Sequence, residues 1–128
     1  MTFDDFDIDP RCLRVLHEQK IIEPTPIQAA SSPVVLTERD VVGVAQTGTG
    51  KTLGYSLPSI SRLAQGPPKH NMMLVLVPTR ELAVQVGKVV GELCKSVRLH
   101  HAVLYGGVGY DKQRADLKKG SAVIVATP

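Results

Sequence analysis

Eight consecutive residues, Ala45-Gln46-Thr47-Gly48-Thr49-Gly50-Lys51-Thr52, have the types and spacing to hold a phosphate chain. The pattern is (Ala/Gly)-x-x-x-x-Gly-Lys-Thr. Gly48 and Gly50 let the backbone wrap close to an anion where a Cβ would block it. Successive N–H groups then point inward as an anion nest. Lys51 brings a point charge to the outer phosphates, and Thr52 offers a hydroxyl to Mg²⁺, a cation that prefers oxygen ligands. Lys51 and Thr52 are thus the candidate catalytic pair, with Thr52 the candidate metal ligand. The bland alternative is a glycine-rich turn between a strand and a helix.

A loop of this kind works only between a strand and a helix. Residues 40–45 read Asp-Val-Val-Gly-Val-Ala, an apolar run suited to a buried strand. Residues 53–64 suit a helix whose N-terminus faces the phosphates. Upstream, Asp9-Pro10 reads as a helix start, and Thr25-Pro26 repeats the device, with Pro33 expected to keep that second helix short. Residues 72–77, Met-Met-Leu-Val-Leu-Val, read as a strand buried on both faces. Thr79 then caps a helix whose apolar face holds Leu82, Val86, Val89, Val90 and Leu93. Residues 102–105 form a further strand closed by Gly106-Gly107. Residues 111–119 form a helix ended by Gly120, and residues 121–127 a last strand. Strands alternating with helices predict an α/β domain with a parallel sheet and helices on both faces.

The bulk composition narrows the class. The chain has 128 residues, 43% of them hydrophobic and 21% charged, within the range of globular domains. No apolar run approaches the roughly 20 residues of a membrane span, and the acidic N-terminus lacks a signal-peptide pattern. A cytoplasmic protein with no membrane contact is expected. Cys12 and Cys94 have no second ligand at metal spacing and read as small buried hydrophobes. His100 and His101, if on a strand, point to opposite faces. The net charge of +3 permits a polyanionic partner without demanding one. Lys112, Arg114, Lys118 and Lys119 read as a solvated helix face in preference to an RNA contact.

Three further strings flank the phosphate loop: Pro24-Thr25-Pro26-Ile27-Gln28, Pro78-Thr79-Arg80-Glu81-Leu82-Ala83, and Gly106-Gly107 followed at the end by Ala126-Thr127-Pro128. In order and spacing the chain resembles, over its whole length, the first RecA-like domain of DEAD-box RNA helicases, with wording nearest to bacterial members. The resemblance implies a RecA-like P-loop NTPase fold, incomplete at its C-terminus. It divides residues 1–128 into a Q motif at about 3–28, the phosphate loop at 45–52, motif Ia at 78–83 and a Gly-Gly pair at 106–107. It implies ATP and Mg²⁺ as cofactors and RNA as a partner, held by its backbone without sequence preference. Ribosome-assembly or RNA-decay partners are implied more loosely.

Position by position, the resemblance gives Gln28 the adenine edge, since a carboxamide offers a donor and an acceptor side by side. Thr25 would help fix the Q motif against the phosphate loop. Phe3 would stack on adenine or, alternatively, anchor the N-terminal segment. Pro78, Thr79, Arg80, Gly106 and Gly107 would meet RNA phosphates and sugars. Arg80 has the alternative of an internal ion pair, and the two glycines that of a generic turn.

The sequence also departs from the family. Lys20-Ile21 stands where Gly-aromatic is usual, and Glu38 where a turn glycine is common. No Asp-Glu-Ala-Asp or Ser-Ala-Thr string occurs. The expectation is a nucleotide cradle without the catalytic half, inactive by itself, belonging to an ATP-dependent RNA helicase. A self-contained nucleotide- or RNA-binding module that does not hydrolyse is the alternative.

Overall fold

The computed structural model describes residues 1–46, 50–67, 69, 72–107 and 109–128. The chain packs as two units, Met1–Gly66 and Pro67–Pro128.

The first unit is helical. Asp9 caps α1 (Pro10–Glu18) as its sequence promises: its carboxylate accepts the Arg11 N–H at 2.9 Å. The same carboxylate holds the Arg11 guanidinium through two contacts, at 3.1 and 2.9 Å. That hydrogen-bonded pair lowers the Asp9 pKa against the opposing effect of burial. Asp9 also donates its own N–H to Ser61 Oγ at 2.6 Å, tying the start of α1 to α3 (Lys51–Leu63). Phe3, Cys12, Leu16, Leu57 and Ile60 fill the core. Full burial of each large apolar side chain is worth roughly 1.5–3 kcal/mol.

Two prolines sit inside helices. The second helix, α2, runs Pro26–Leu36 straight through Pro33, so the expected early stop does not occur. Pro33 is exposed, where water can take the orphaned carbonyl. Pro58, inside α3, is buried and has no N–H for the Gly54 carbonyl. Ser31 Oγ on α2 donates to that carbonyl instead, at 2.9 Å. Arg62 closes the far end of the helix pair, donating to the Leu36 carbonyl at 2.6 Å and pairing with Glu38.

The second unit is a parallel sheet with order β1-β3-β2, from β1 (Met73–Leu76), β2 (His101–Leu104) and β3 (Val123–Ala126). Met73 and His101 both align with Val123, and Leu76 and Leu104 with Ala126. Thr79 Oγ1 accepts the Leu82 N–H at 3.2 Å to start α4 (Arg80–Ser96). Val86, Val90 and Leu93 of α4 are buried. Two glycines one turn apart, Gly87 and Gly91, bring α4 close to β2. A Cβ on either would lie 2.5 Å from Val103 Cγ2 or 2.7 Å from His101 Cε1. A helical glycine costs about 1 kcal/mol relative to alanine, so the close approach has to offset that cost. The last helix, α5 (Asp111–Lys118), docks against β2.

Two strand expectations need correction. Residues 40–45 form no strand: they carry no ladder pairing, and Val42 and Val44 are 91% and 90% exposed. A β-rich sequence is not a strand until a neighbour takes its backbone groups. β1 is likewise buried on one face only. Val75 is buried, while Leu74 and Leu76, on its other face, are 61% and 62% exposed. No helix is long and apolar enough to cross a membrane among the described residues. Cys12 and Cys94 are both fully buried.

Candidate functional site

Two clusters carry the chemistry, one in each unit. In the first, Thr25 precedes α2 and Gly50 precedes α3, and Gln28 joins them. The Gln28 carboxamide oxygen accepts the Thr25 N–H at 2.9 Å, and its nitrogen donates to the Gly50 carbonyl at 3.1 Å. Gln28 is 3% exposed, so this bridge is a buried one. Gly50 has φ +83°, and a Cβ there would lie 2.3 Å from Gln28 Nε2. Glycine is required twice over at this position, by conformation and by space.

Lys51 follows directly, exposed at the first position of α3. The first turn of α3 contains no acidic residue, so the positive end of the helix stays uncompensated. Thr25 Oγ1 is buried at the start of the α2 capping box, with no well-formed hydrogen bond among the described residues, 3.3 Å from the position a Gly50 Cβ would take. A glycine-only cradle beside a buried hydroxyl, with a lysine and a bare helix N-terminus next to it, suits an anionic phosphate chain. The Thr52 hydroxyl lies near Tyr55, one turn on, and acts to lower its pKa. Burial outweighs that effect and leaves the Tyr55 pKa raised. Ala45 is partly buried and Gln46 exposed. Thr47, Gly48 and Thr49 lie outside the described residues.

Phe3 is packed into the helical unit. It is 1% exposed, its N–H donates to the Ile22 carbonyl at 3.2 Å, and its ring meets Phe6 edge-on at 6.4 Å. This is the packing of a hydrophobic anchor for the N-terminal segment.

The second cluster lies at the carboxyl ends of the parallel strands, where open α/β sheets take ligands. Pro78, Arg80, Tyr105, Gly106, Tyr110 and Thr127 line a cavity of about 710 Å³ there. The Arg80 guanidinium stands 5.7 Å over the Tyr105 ring. Gly107 has φ +82°, and a Cβ on it would come within 2.7 Å of Arg80 Nη1. Gly106 faces open space, and Thr79 Oγ1, which accepts the Leu82 N–H at the start of α4, keeps its own proton to donate. Arg80 therefore packs on Tyr105 and across the glycine turn. Tyr105 and Tyr110 escaped the sequence reading; the only signal was two aromatics close to Gly106-Gly107 in a chain with few aromatics.

Comparison with known proteins finds relatives along nearly the whole chain. The family model described as DEAD/DEAH box helicase matches residues 25–128. An ATP-dependent RNA helicase DBP3 from Yarrowia lipolytica is 46% identical over 100% of the chain, which covers 24% of that protein. An ATP-dependent RNA helicase DeaD from Mycobacterium tuberculosis is 44% identical over 99% of the chain and 23% of its own length. A crystal structure of a hypothetical ATP-dependent RNA helicase from Sulfolobus tokodaii superposes with TM-score 0.83 at 29% identity. It covers 94% of this chain and 34% of that one. The chain thus spans about a quarter of the length of the curated relatives it matches.

Proposed function

This chain belongs to the DEAD/DEAH box helicase family, and on that premise we propose that it is the N-terminal portion of a first RecA-like domain and grips ATP for an RNA helicase. The observation that carries the reading is the Gln28 bridge. One buried carboxamide fixes the Q-motif backbone at Thr25 to the phosphate loop at Gly50. Occupancy of the adenine side and geometry of the phosphate side are thereby mechanically linked. Each end of the carboxamide keeps hydrogen-bonding capacity beyond the bonds it makes here, a second proton on Nε2 and a second lone pair on Oε1.

In this reading Ala45, Gln46, Thr47, Gly48, Thr49 and Gly50 wrap the phosphates. Lys51 sets a charge on them, Thr52 offers its hydroxyl to Mg²⁺, and Thr25 and Gln28 serve the base side. ATP supplies the phosphoanhydride bond whose cleavage drives the whole protein, with Mg²⁺ offsetting phosphate charge. Phosphoryl transfer depends on positioning and charge stabilisation. The 128 residues contain no Asp-Glu-Ala-Asp string, so binding rather than hydrolysis is assigned to this chain.

For the second unit, the reading gives Pro78, Thr79, Arg80, Gly106 and Gly107 the RNA backbone. A cavity with one guanidinium and two tyrosines at the strand ends supports it. The whole protein is then a cytoplasmic enzyme that opens short RNA duplexes or remodels RNA–protein complexes, in ribosome assembly or RNA decay.

The test is a nucleotide panel. The chain is expected to bind ATP in preference to GTP, and Gln28→Ala to lose roughly 1–3 kcal/mol of that discrimination, the range for a bidentate base contact. If Gln28→Ala weakens ATP and GTP equally, Gln28 is a latch only and the adenine role is wrong.

A further inference from the structure

The second unit also holds a groove over β2 between α4 and α5, adjoining the second cluster, with which its larger cavity shares Tyr105 and Gln113. Two cavities, of about 730 and 450 Å³, meet in it and share His101 and Asp116. Its floor is largely apolar: Gly87 and Val103 in the larger cavity, Gly91 and Leu99 in the smaller. Its rim is basic. Lys88 and Lys95 project from α4, Lys112 and Lys119 stand on the α5 side, and Arg98 closes one end. All five are exposed. Asp116 is the single carboxylate lining it, so cations outnumber anions five to one. His101 sits beside Asp116 with a lowered pKa, burial outweighing the carboxylate's attraction, while His100 adds a smaller lowering effect.

We propose that this groove docks an acidic amphipathic helical segment of a protein partner. An apolar floor between two basic rims suits a helix with an apolar stripe flanked by Glu or Asp. Lys88 and Lys95 lie two turns apart, about 10 Å along α4 at 1.5 Å per residue. Carboxylates spaced two turns apart on a docked helix repeat that interval. Nucleic acid fits less well, since a phosphate backbone gains nothing from Val103 and Leu99 on the floor. Charge complementarity sets register and encounter rate, and the apolar floor supplies the buried area.

The experiment uses the 128-residue chain and a fluorescein-labelled helical peptide with Leu at i, i+4, i+7 and Glu at the flanking positions. Fluorescence anisotropy is expected to show binding that a scrambled peptide of the same composition lacks. Lys88→Glu/Lys112→Glu is expected to weaken it about tenfold or more, and Arg114→Glu/Lys118→Glu, the same charge change outside the groove, by less than about twofold. If the reversal variant loses its circular dichroism, Lys88→Gln/Lys112→Gln replaces it, with an expected loss of about threefold. Equal losses from the two pairs of reversals, or equal binding of the scrambled peptide, overturn the proposal. So does displacement by a single-stranded RNA that shows the same dependence on Lys88 and Lys112.

Discussion

Replacing Gly50 by alanine strikes the point where the phosphate loop is tied down. The residue holds φ +83°, which costs an L-amino acid about 1–2 kcal/mol. The new Cβ would lie 2.3 Å from Gln28 Nε2, so the carboxamide must leave. Two hydrogen bonds go with it, to the Gly50 carbonyl and from the Thr25 N–H, each worth about 0.5–1.5 kcal/mol net. The expected cost is therefore about 2–5 kcal/mol. In a Gln28→Ala background the clash and both bonds are already gone, leaving only the backbone cost of about 1–2 kcal/mol. The two substitutions should thus couple by about 1–3 kcal/mol. Urea unfolding of the four proteins, followed by circular dichroism, measures the cycle. The same cost for Gly50→Ala in both backgrounds, or a cost below about 0.5 kcal/mol, refutes the bridge as the clamp on the loop.

Other outcomes are as definite. His101 has a lowered folded pKa, so the unfolded chain binds its proton first. Stability should be full above the ordinary imidazole value of 6.5 and fall as pH drops below it, and His101→Gln should flatten that fall in urea midpoints. Arg80→Ala should weaken single-stranded RNAs of every sequence alike and lower the salt slope of binding by about 1, as anisotropy at several salt concentrations would show. Loss for one sequence alone would contradict a backbone contact.

The local devices were legible because short-range chemistry fixes them. Asp9, Thr25 and Thr79 each stand at the start of a helix, and Gly120 ends α5 at φ +87°. Lys20 and Glu38, singled out as standing in glycine-like positions, do have left-handed backbones at φ +60° and +62°. What stayed hidden depends on partners remote in sequence. Residues 40–45 have strand chemistry and no ladder pairing among the described residues, and Leu74 and Leu76 have the apolarity of a covered face yet stand exposed. Pro33 was misread because its exposure, which makes the lost bond tolerable, is a tertiary fact. The site was legible as a set of motifs. Its wiring was not, since nothing in the spacing of Gln28 and Gly50 says that one carboxamide joins them. Phe3 and Arg80 each had two sequence readings, and neither the burial of Phe3 beside Phe6 nor the packing of Arg80 over Tyr105 could be read from the spacing of the motifs.

The nucleotide cradle is tested most directly by titrating the chain into fluorescent ATP, with Mg²⁺ present and then chelated, beside Lys51→Ala. Saturable binding to the unmodified chain is expected, weakened by chelation and lost by about tenfold or more in Lys51→Ala, since a charged hydrogen bond to phosphate is worth about 1.5–3 kcal/mol. Equal binding by the two proteins, or none by either, would contradict the assignment of this chain as an ATP-gripping element.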